Sequence, residues 1–214
     1  MGTSDRHLDL GCGKFPRNPY GHSELCGVDL RPAPAGVAFE HRVANLVLEP
    51  IPYSDSSFAS VSAYDFIEHV PRLLPTADGR GTMFPFIRLM NEVWRVLAPG
   101  GRFYALTPAF PNPEVFTDPT HVNIITRKTH EYFSGEQPMG RMYGFNGRFK
   151  ALRVEWVHVP DVYSPIAGSP DNRKPPTGAK RLARAVRGLF RRLRGKPAER
   201  KAHLLWEFEA IKPD

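Results

Sequence analysis

The stretch that most constrains the fold is residues 7–13 (HLDLGCG), which is followed by a second apolar strand, GVDL at residues 27–30. A short apolar run that closes on two glycines, then a strand that ends in a carboxylate, is typical of the nucleoside site of an open α/β sheet. Glycine lacks a Cβ atom, so the backbone at Gly11 and Gly13 can turn sharply and approach a ligand closely. Asp29 lies 18 residues beyond Gly11, near the ~20-residue offset at which a carboxylate meets ribose hydroxyls.

The loop after these glycines departs from a dinucleotide site. A pyrophosphate cradle uses a third glycine and a helix N-terminus directed at the phosphates. Here Pro16 stands at the third position, within the segment KFPRNP at residues 14–19. The loop therefore favours a ligand without phosphates, and its prolines predict a truncated or irregular connection to the second strand.

Two further features accompany the glycine loop: the carboxylate that ends the second strand, and the segment NEVWRVLAPGGRFYALTP at residues 91–108. As a set they resemble class I S-adenosylmethionine (SAM)-dependent methyltransferases of the small methyltransferase-11/23-like type, over about residues 6–160. The resemblance implies one α/β domain over residues 1–214, with a doubly wound, seven-stranded, mostly parallel sheet whose last strand is antiparallel. It also implies SAM as cofactor, with these binding residues: Asp9, Gly11, Gly13, Asp29 and Asn45, with Leu46 against the adenine and Tyr64 near the methionine end.

One of these positions departs from the family pattern. Most members carry an acidic residue where this chain has Asn45. The side-chain carbonyl of asparagine can still accept a hydrogen bond from an adenine amino group. The alternative is that Asn45 serves only as a turn residue.

Hydrophobic periodicity predicts the later elements. Residues 83–97 read as an amphipathic helix with Trp94 on its apolar face, which places this side chain in the core. Residues 151–159 and 203–211 alternate apolar and polar side chains with the period of a strand. In the family they match the last two strands, which form an antiparallel pair.

A candidate reaction centre follows the fourth strand, in YDFIEHV at residues 64–70. If a helix begins there, Asp65, Glu68 and His69 share one face at the carboxyl end of the sheet. His121 follows the fifth strand, and the four together resemble the metal sites of small-RNA 2′-O-methyltransferases and ubiquinone-pathway O-methyltransferases, where the first position is usually Glu. A divalent cation (Mg, Mn or Zn) at this site would lower the pKa of a substrate hydroxyl.

Two alternatives to metal ligation remain open for these residues. Glu68, His69 and His121 could form a metal-free catalytic site, in which a histidine contacts the substrate or acts as general base. The same side chains could instead have purely structural roles.

The charge of the chain is concentrated in one segment. Residues 173–201 contain 12 Lys or Arg and one acidic residue, a net of +11, whereas the rest of the chain has a net charge of −4. Within residues 178–197 an apolar stripe recurs at helical spacing, formed by Leu182, Val186, Leu189, Phe190 and Leu193. This insertion before the final strand could lie on an anionic membrane, bind RNA phosphates, or pack on the domain.

The remaining composition bears on location. No apolar stretch of 18 residues occurs, and the N-terminus does not have the pattern of a signal peptide. We therefore expect a cytoplasmic chain, peripheral at the inner membrane face if the basic helix binds lipid. Cys12 and Cys26 read as small buried residues and not as a disulfide framework.

These observations predict a SAM-dependent methyltransferase that methylates a hydroxyl on a small molecule or a glycan, which could be lipid-linked. One alternative is an RNA 2′-O-methyltransferase. The other, from a different class, is a non-catalytic SAM-binding module.

Overall fold

The computed structural model describes residues 5–162, 177–193 and 201–213. Nine strands and three α-helices occur in these ranges. The strands are β1 (Arg6–Leu10), β2 (Glu24–Asp29), β3 (Glu40–Val43), β4 (Phe58–Tyr64), β5 (Leu74–Pro75), β6 (Thr82–Met83), β7 (Leu97–Pro108), β8 (Phe149–Val157) and β9 (His203–Ala210). The helices are α1 (Pro85–Val96), α2 (Val159–Val162) and α3 (Gly178–Leu193).

Seven strands form one sheet in the order β3-β2-β1-β4-β7-β9-β8, and β5 pairs only with β6 in a small hairpin. The first five strands of that order are parallel, whereas β9 runs antiparallel to both β7 and β8. This confirms the predicted α/β fold, with a mostly parallel seven-stranded sheet and an antiparallel last strand. In this register His203 lies opposite Pro108 on one side and Val157 on the other.

The connections among the first four strands contain no helix, and all of their residues are described. The prediction of an irregular first crossover is therefore confirmed, since residues 11–23 form only turns and extended segments. Pro16 and Pro19 account for this, because proline removes a backbone donor and disfavours helical geometry in the preceding residue.

Helix α1 supplies the long apolar face that covers one side of the sheet. It begins with Pro85, whose missing N–H costs nothing in the first turn, and Leu89, Met90 and Val93 are buried at helical spacing. Trp94 packs against this core, and its indole N–H donates to the carbonyl of Ile211 at 3.1 Å. The predicted core role of this tryptophan is confirmed.

Alternation along the strands builds two cores, one on each face of the sheet. Phe103, Trp206 and Phe208 are fully buried on the face that packs against α1. Tyr104 and Leu205, their neighbours along the strands, belong to a smaller cluster on the opposite face. Both cysteines are free and buried, as predicted.

The basic segment is described in part. Helix α3 covers residues 178–193 of the predicted insertion, whereas residues 173–176 and 194–200 lie outside the described part of the chain. Two apolar side chains of α3 are exposed, Leu182 at 67% and Val186 at 43%. None of the helices that the structure describes is long and apolar enough to cross a membrane.

Candidate active site

The glycine loop after β1 has the left-handed backbone that its sequence predicts. Gly11 has φ +63° and Gly13 has φ +59°. A Cβ atom at Gly11 would lie 2.5 Å from Cδ2 of Phe66, whereas one at Gly13 would meet nothing within 4 Å. Residue 11 therefore has no room for a side chain, and the loop around Gly13 borders open space.

Two carboxylates hold this loop. The backbone N–H of Gly13 donates to Asp29 Oδ2 at 2.9 Å, and that of Arg17 donates to Asp9 Oδ2 at 2.8 Å. Both predicted carboxylates thus lie beside the loop, at the carboxyl ends of β1 and β2. Asp9 is fully buried, whereas the side chain of Asp29 is partly exposed and is the better candidate for a contact to ribose hydroxyls.

Asp9 is also the end of a buried polar network. Ser62 Oγ donates its proton to Asp9 Oδ1 at 2.6 Å. The hydroxyl oxygen of Ser62 must therefore accept the hydrogen bond from His7 Nε2 at 2.8 Å. Because Nε2 carries the proton of the neutral ring, His7 Nδ1 accepts from Ser60 Oγ at 2.6 Å. Burial lowers the pKa of His7 to about 3 and raises the pKa of Asp9 to about 6. The imidazole is therefore neutral, and it orients Ser62 toward Asp9.

The other predicted cofactor residues lie around this loop and strand. The side-chain oxygen of Asn45 accepts from Val47 N at 3.1 Å, which is the local turn that was the alternative for this residue. Leu46 is 6% exposed and belongs to the core. Tyr64 is buried, with the guanidinium of Arg17 at 4.8 Å from its ring centroid, and burial raises its pKa. Contacts of these residues with adenine or methionine stay predictions.

Glu68 is a fully buried carboxyl group at the carboxyl edge of the sheet. Its Oε2 accepts from Thr107 Oγ1 at 2.9 Å, and its Oε1 has no hydrogen-bond partner among the described residues. Burial raises its pKa to about 8. An unpartnered buried carboxyl oxygen is costly for the fold, which suits a group that meets a ligand.

Two histidines face each other beside Glu68, with ring centroids 4.8 Å apart. His121 Nδ1 lies 2.9 Å from the carbonyl of Val115, so this nitrogen carries the proton. His69 Nδ1 lies 2.9 Å from Thr120 Oγ1, which itself donates to Asp118 Oδ1, so this nitrogen is also the donor. In the neutral form of each ring the lone pair therefore lies on Nε2, as in metal-ligating or base histidines whose other nitrogen is held by an acceptor.

Glu68, His69 and His121 form one group, in which a ligand atom of each lies within 4.8 Å of the others. Asp65, the fourth predicted ligand, is not part of this group. The helical spacing assumed for it is wrong, because only a three-residue 3-10 turn (Ile67–His69) forms here and Asp65 precedes it with φ +48°. Its Oδ1 instead lies 3.1 Å from Nε2 of His203.

A cleft of about 640 Å³ lies at the carboxyl edge of the sheet, and its lining includes Glu68 and His121 but not His69. It is lined by Asp65, Glu68, Pro108, Glu114, Thr117, Asp118, Pro119, His121 and His203. Sequence reasoning missed His203, which pairs with Asp65 across 138 residues of sequence. Sequence analysis also assigned no role to Asp118, which accepts a hydrogen bond from Thr120 Oγ1 and through it orients His69.

A second cleft, of about 710 Å³, lies beside the N-terminus of α1 and is mainly apolar. It is lined by Arg72, Leu73, Phe84, Phe86, Ile87, Phe110, Ile124, Thr126, Lys128, Thr129, Glu131, Tyr132, Phe133, Met139 and Tyr143. Arg72 connects the two clefts, because it lines this one and its Nε donates to Asn123, whose backbone N–H donates to the carbonyl of Glu68.

Comparison with known proteins agrees with the fold described above. A methyltransferase domain model matches residues 8–105. A chain from the complex of the Trm112 methyltransferase activator with a methyltransferase of Haloferax volcanii is 17% identical, with 99% of this chain and 86% of that chain covered and a TM-score of 0.55. No curated protein sequence matches the chain.

Two more solved structures share the fold. A SAM-dependent methyltransferase from Archaeoglobus fulgidus is 15% identical over 97% of this chain and 86% of that chain, with a TM-score of 0.54. The YcgJ protein from Bacillus subtilis is 15% identical over 99% of this chain and 94% of that chain, with a TM-score of 0.51. Residues 8–105 thus match a methyltransferase domain model, and the chain as a whole shares the fold of these solved structures.

Proposed function

We propose that this protein transfers a methyl group from SAM to a hydroxyl of a small molecule or a glycan. The observation that carries the proposal is the group of Glu68, His69 and His121, of which Glu68 and His121 line the cleft. Phe66 connects this group to the glycine loop, because it packs against Gly11 and directly precedes the 3-10 turn that bears Glu68 and His69. Asp9, Gly11, Gly13 and Asp29 would hold the donor on the loop side.

SAM supplies an electrophilic methyl group on a sulfonium sulfur. The acceptor oxygen would form the new bond to carbon as the carbon–sulfur bond breaks and its electron pair passes to sulfur. The hydroxyl proton must leave in the same reaction, and we assign it to Nε2 of His121, which lines the cleft and has the His69 ring beside it. Because the displacement is in line, placing and deprotonating the hydroxyl are the main contributions of the protein.

The charge of the cleft supports a neutral acceptor. Asp65, Glu114 and Asp118 contribute carboxylates to it, whereas Glu68, whose pKa is raised to about 8, is mostly protonated at neutral pH. Carboxylates accept hydrogen bonds from the several hydroxyls of a sugar, whereas they repel the phosphates of an RNA end. A glycan or polyol is therefore favoured over the RNA 2′-O-methyltransferase alternative.

A divalent cation fits the same group of residues. Glu68, His69 and His121 would hold it, since two imidazoles and a carboxylate suit Zn or Mn better than Mg. Such an ion would lower the pKa of a bound hydroxyl. In the metal-free alternative, the two histidines act as bases and Glu68 contacts the acceptor.

We further propose a single domain over residues 1–214 with the basic insertion at about 173–201, acting in the cytoplasm. A lipid-linked glycan at the inner membrane face is the acceptor that would also explain the basic segment. The solved Haloferax volcanii complex contains an activator protein. We propose that a protein partner of this kind could regulate the present chain as well.

The deciding experiment is S-adenosylhomocysteine release in a screen of hydroxyl acceptors that includes sugars, polyols and capped RNA ends. We expect turnover with a neutral polyhydroxyl compound, and at least a 100-fold loss in the His121→Gln variant with SAM binding unchanged. His130→Gln serves as the matched control, because His130 lies outside the cleft lining. Binding of SAM without turnover on any acceptor would favour the non-catalytic module instead.

A further inference from the structure

Helix α3 combines a high positive charge with exposed apolar side chains. Residues 178–193 contain six Lys or Arg and no Asp or Glu. Leu182 and Val186 are one helical turn apart, so they point to the same side of the helix. Both are exposed, at 67% and 43%, and neither belongs to the cores formed by the described residues.

The sequence extends this stripe along the helix. Leu189, Phe190 and Leu193 follow Leu182 at i+7, i+8 and i+11, the positions of one helical face. By sequence spacing, positions 184, 187 and 191 belong to the opposite half of a helical wheel. A helix of 16 residues spans only about 24 Å, so a membrane could accommodate it along the surface but not across.

The place of α3 in the fold relates it to the candidate active site. The insertion that contains α3 leaves the sheet after Val157 and returns at His203, and these two residues are paired in register. His203 also lines the acidic cleft. Both ends of the insertion therefore lie at the edge of the sheet where the cleft opens.

We propose that α3 lies in the surface of an anionic membrane, with its apolar stripe between the lipid headgroups and its cations against the lipid phosphates. Opposite charge favours this partner, and the exposure of Leu182 and Val186 favours it over RNA, which would need the cations but not these two apolar side chains. Phe190 is the one aromatic residue of the helix, whereas single-strand RNA surfaces usually stack several bases. The inference concerns the surface alone and does not depend on the reaction.

The test is flotation of the full-length protein with vesicles of phosphatidylcholine alone and of phosphatidylcholine with about one-third phosphatidylglycerol, without SAM or acceptor. We expect binding only to the anionic vesicles. Replacing Arg181, Arg184 and Arg187 by glutamine should lower the partition coefficient about 100-fold, because each cation near an anionic surface contributes about a factor of five. Lysine at the same three positions is the control and should keep the binding.

A second variant, Leu182→Gln with Val186→Gln, keeps the charge and the helix propensity and removes part of the stripe. We expect at least a tenfold loss of vesicle binding, since burial of one large apolar side chain already contributes about that factor. An unchanged thermal unfolding midpoint shows that the variants fold. Equal binding to neutral vesicles, no binding by the native protein, or undiminished binding by the Leu182/Val186 variant would overturn the proposal. Nuclease-sensitive RNA that copurifies equally with this variant and the native protein would overturn it in favour of RNA.

Discussion

Replacing Gly11 by alanine tests the close contact between the glycine loop and Phe66. The added Cβ atom would lie 2.5 Å from Cδ2 and 2.9 Å from Cγ of the Phe66 ring. These ring atoms lie close to the main chain of Phe66, so the ring cannot yield without moving the 3-10 turn that bears Glu68 and His69. Gly13 is the matched control, because it has the same left-handed φ and open space around the position of a Cβ atom.

Both substitutions introduce the strain of a left-handed backbone, but only Gly11→Ala also introduces a steric clash. A left-handed backbone costs an L-residue about 1–2 kcal/mol relative to glycine, which is the whole expected loss for Gly13→Ala. Forcing an extra methyl group into a packed site adds about 1–3 kcal/mol for Gly11→Ala. We therefore expect Gly11→Ala to lower the free energy of unfolding by about 2–5 kcal/mol.

Urea denaturation measures both losses, and calorimetry with SAM reports the effect on the loop. In a Phe66→Ala background the two shortest contacts, with Cδ2 and Cγ, are removed and only the Cβ atom at 3.2 Å remains, so the further cost of Gly11→Ala should fall close to that of Gly13→Ala. Equal losses for the two glycine variants in the native background would show that Phe66 does not restrict this position. A cost of Gly11→Ala that persists without the Phe66 ring would contradict the assigned cause.

Three further predictions concern the carboxylates, the buried histidine and the candidate metal. Asp29→Ala should weaken SAM binding about 10- to 100-fold in calorimetry, because a charged hydrogen bond contributes about 1.5–3 kcal/mol, whereas Asp78→Ala on the exposed hairpin turn should not. His7 takes up a proton near pH 6.5 when unfolded but near pH 3 when folded, so it lowers the free energy of unfolding by about 1.4 kcal/mol per pH unit as the pH falls through that window. The His7→Gln variant should lack this pH dependence, which denaturation at pH 6.5 and at pH 4 would reveal. If the free energy of unfolding differs between the native protein and the variant by the same amount at both pH values, the buried imidazole is not neutral. Asp9 acts with the opposite sign, because its folded pKa of about 6 exceeds its unfolded value of 3.8, so acidification through that range stabilises the fold. Dialysis against EDTA should abolish turnover if Glu68, His69 and His121 hold a required cation, with Zn or Mn restoring it, and full activity in chelator would establish the metal-free site.

Local patterns predicted the sheet well. The apolar run before Gly11 became β1, the alternation at residues 203–211 became β9, and the antiparallel pairing of the last strands is observed. These features depend on neighbours in sequence or on strand periodicity, which a single sequence displays. The irregular first crossover could also be predicted from the sequence, because proline restricts the backbone at and next to its own position.

The site was less predictable because it depends on contacts between distant residues. His203 meets Asp65 only because β9 inserts beside β7, which no local pattern shows. Asp65 itself was assigned a helical position, but a left-handed residue and a single 3-10 turn changed the direction of its side chain. The amide of Asn45 could serve a ligand or its own backbone, and the structure has it in a local turn.

The position of β9 has a consequence for the order of folding during synthesis. This strand lies between β7 and β8, although it follows both in the chain. Until residues 203–210 emerge from the ribosome, the rings of Phe103 and Phe149 lack the Phe208 ring that packs against each of them, at 6.1 and 5.7 Å. The backbone hydrogen bonds of helix α3 are local, and local contacts form faster than pairings between distant strands. A surface that binds α3 can therefore meet the nascent chain before the sheet closes.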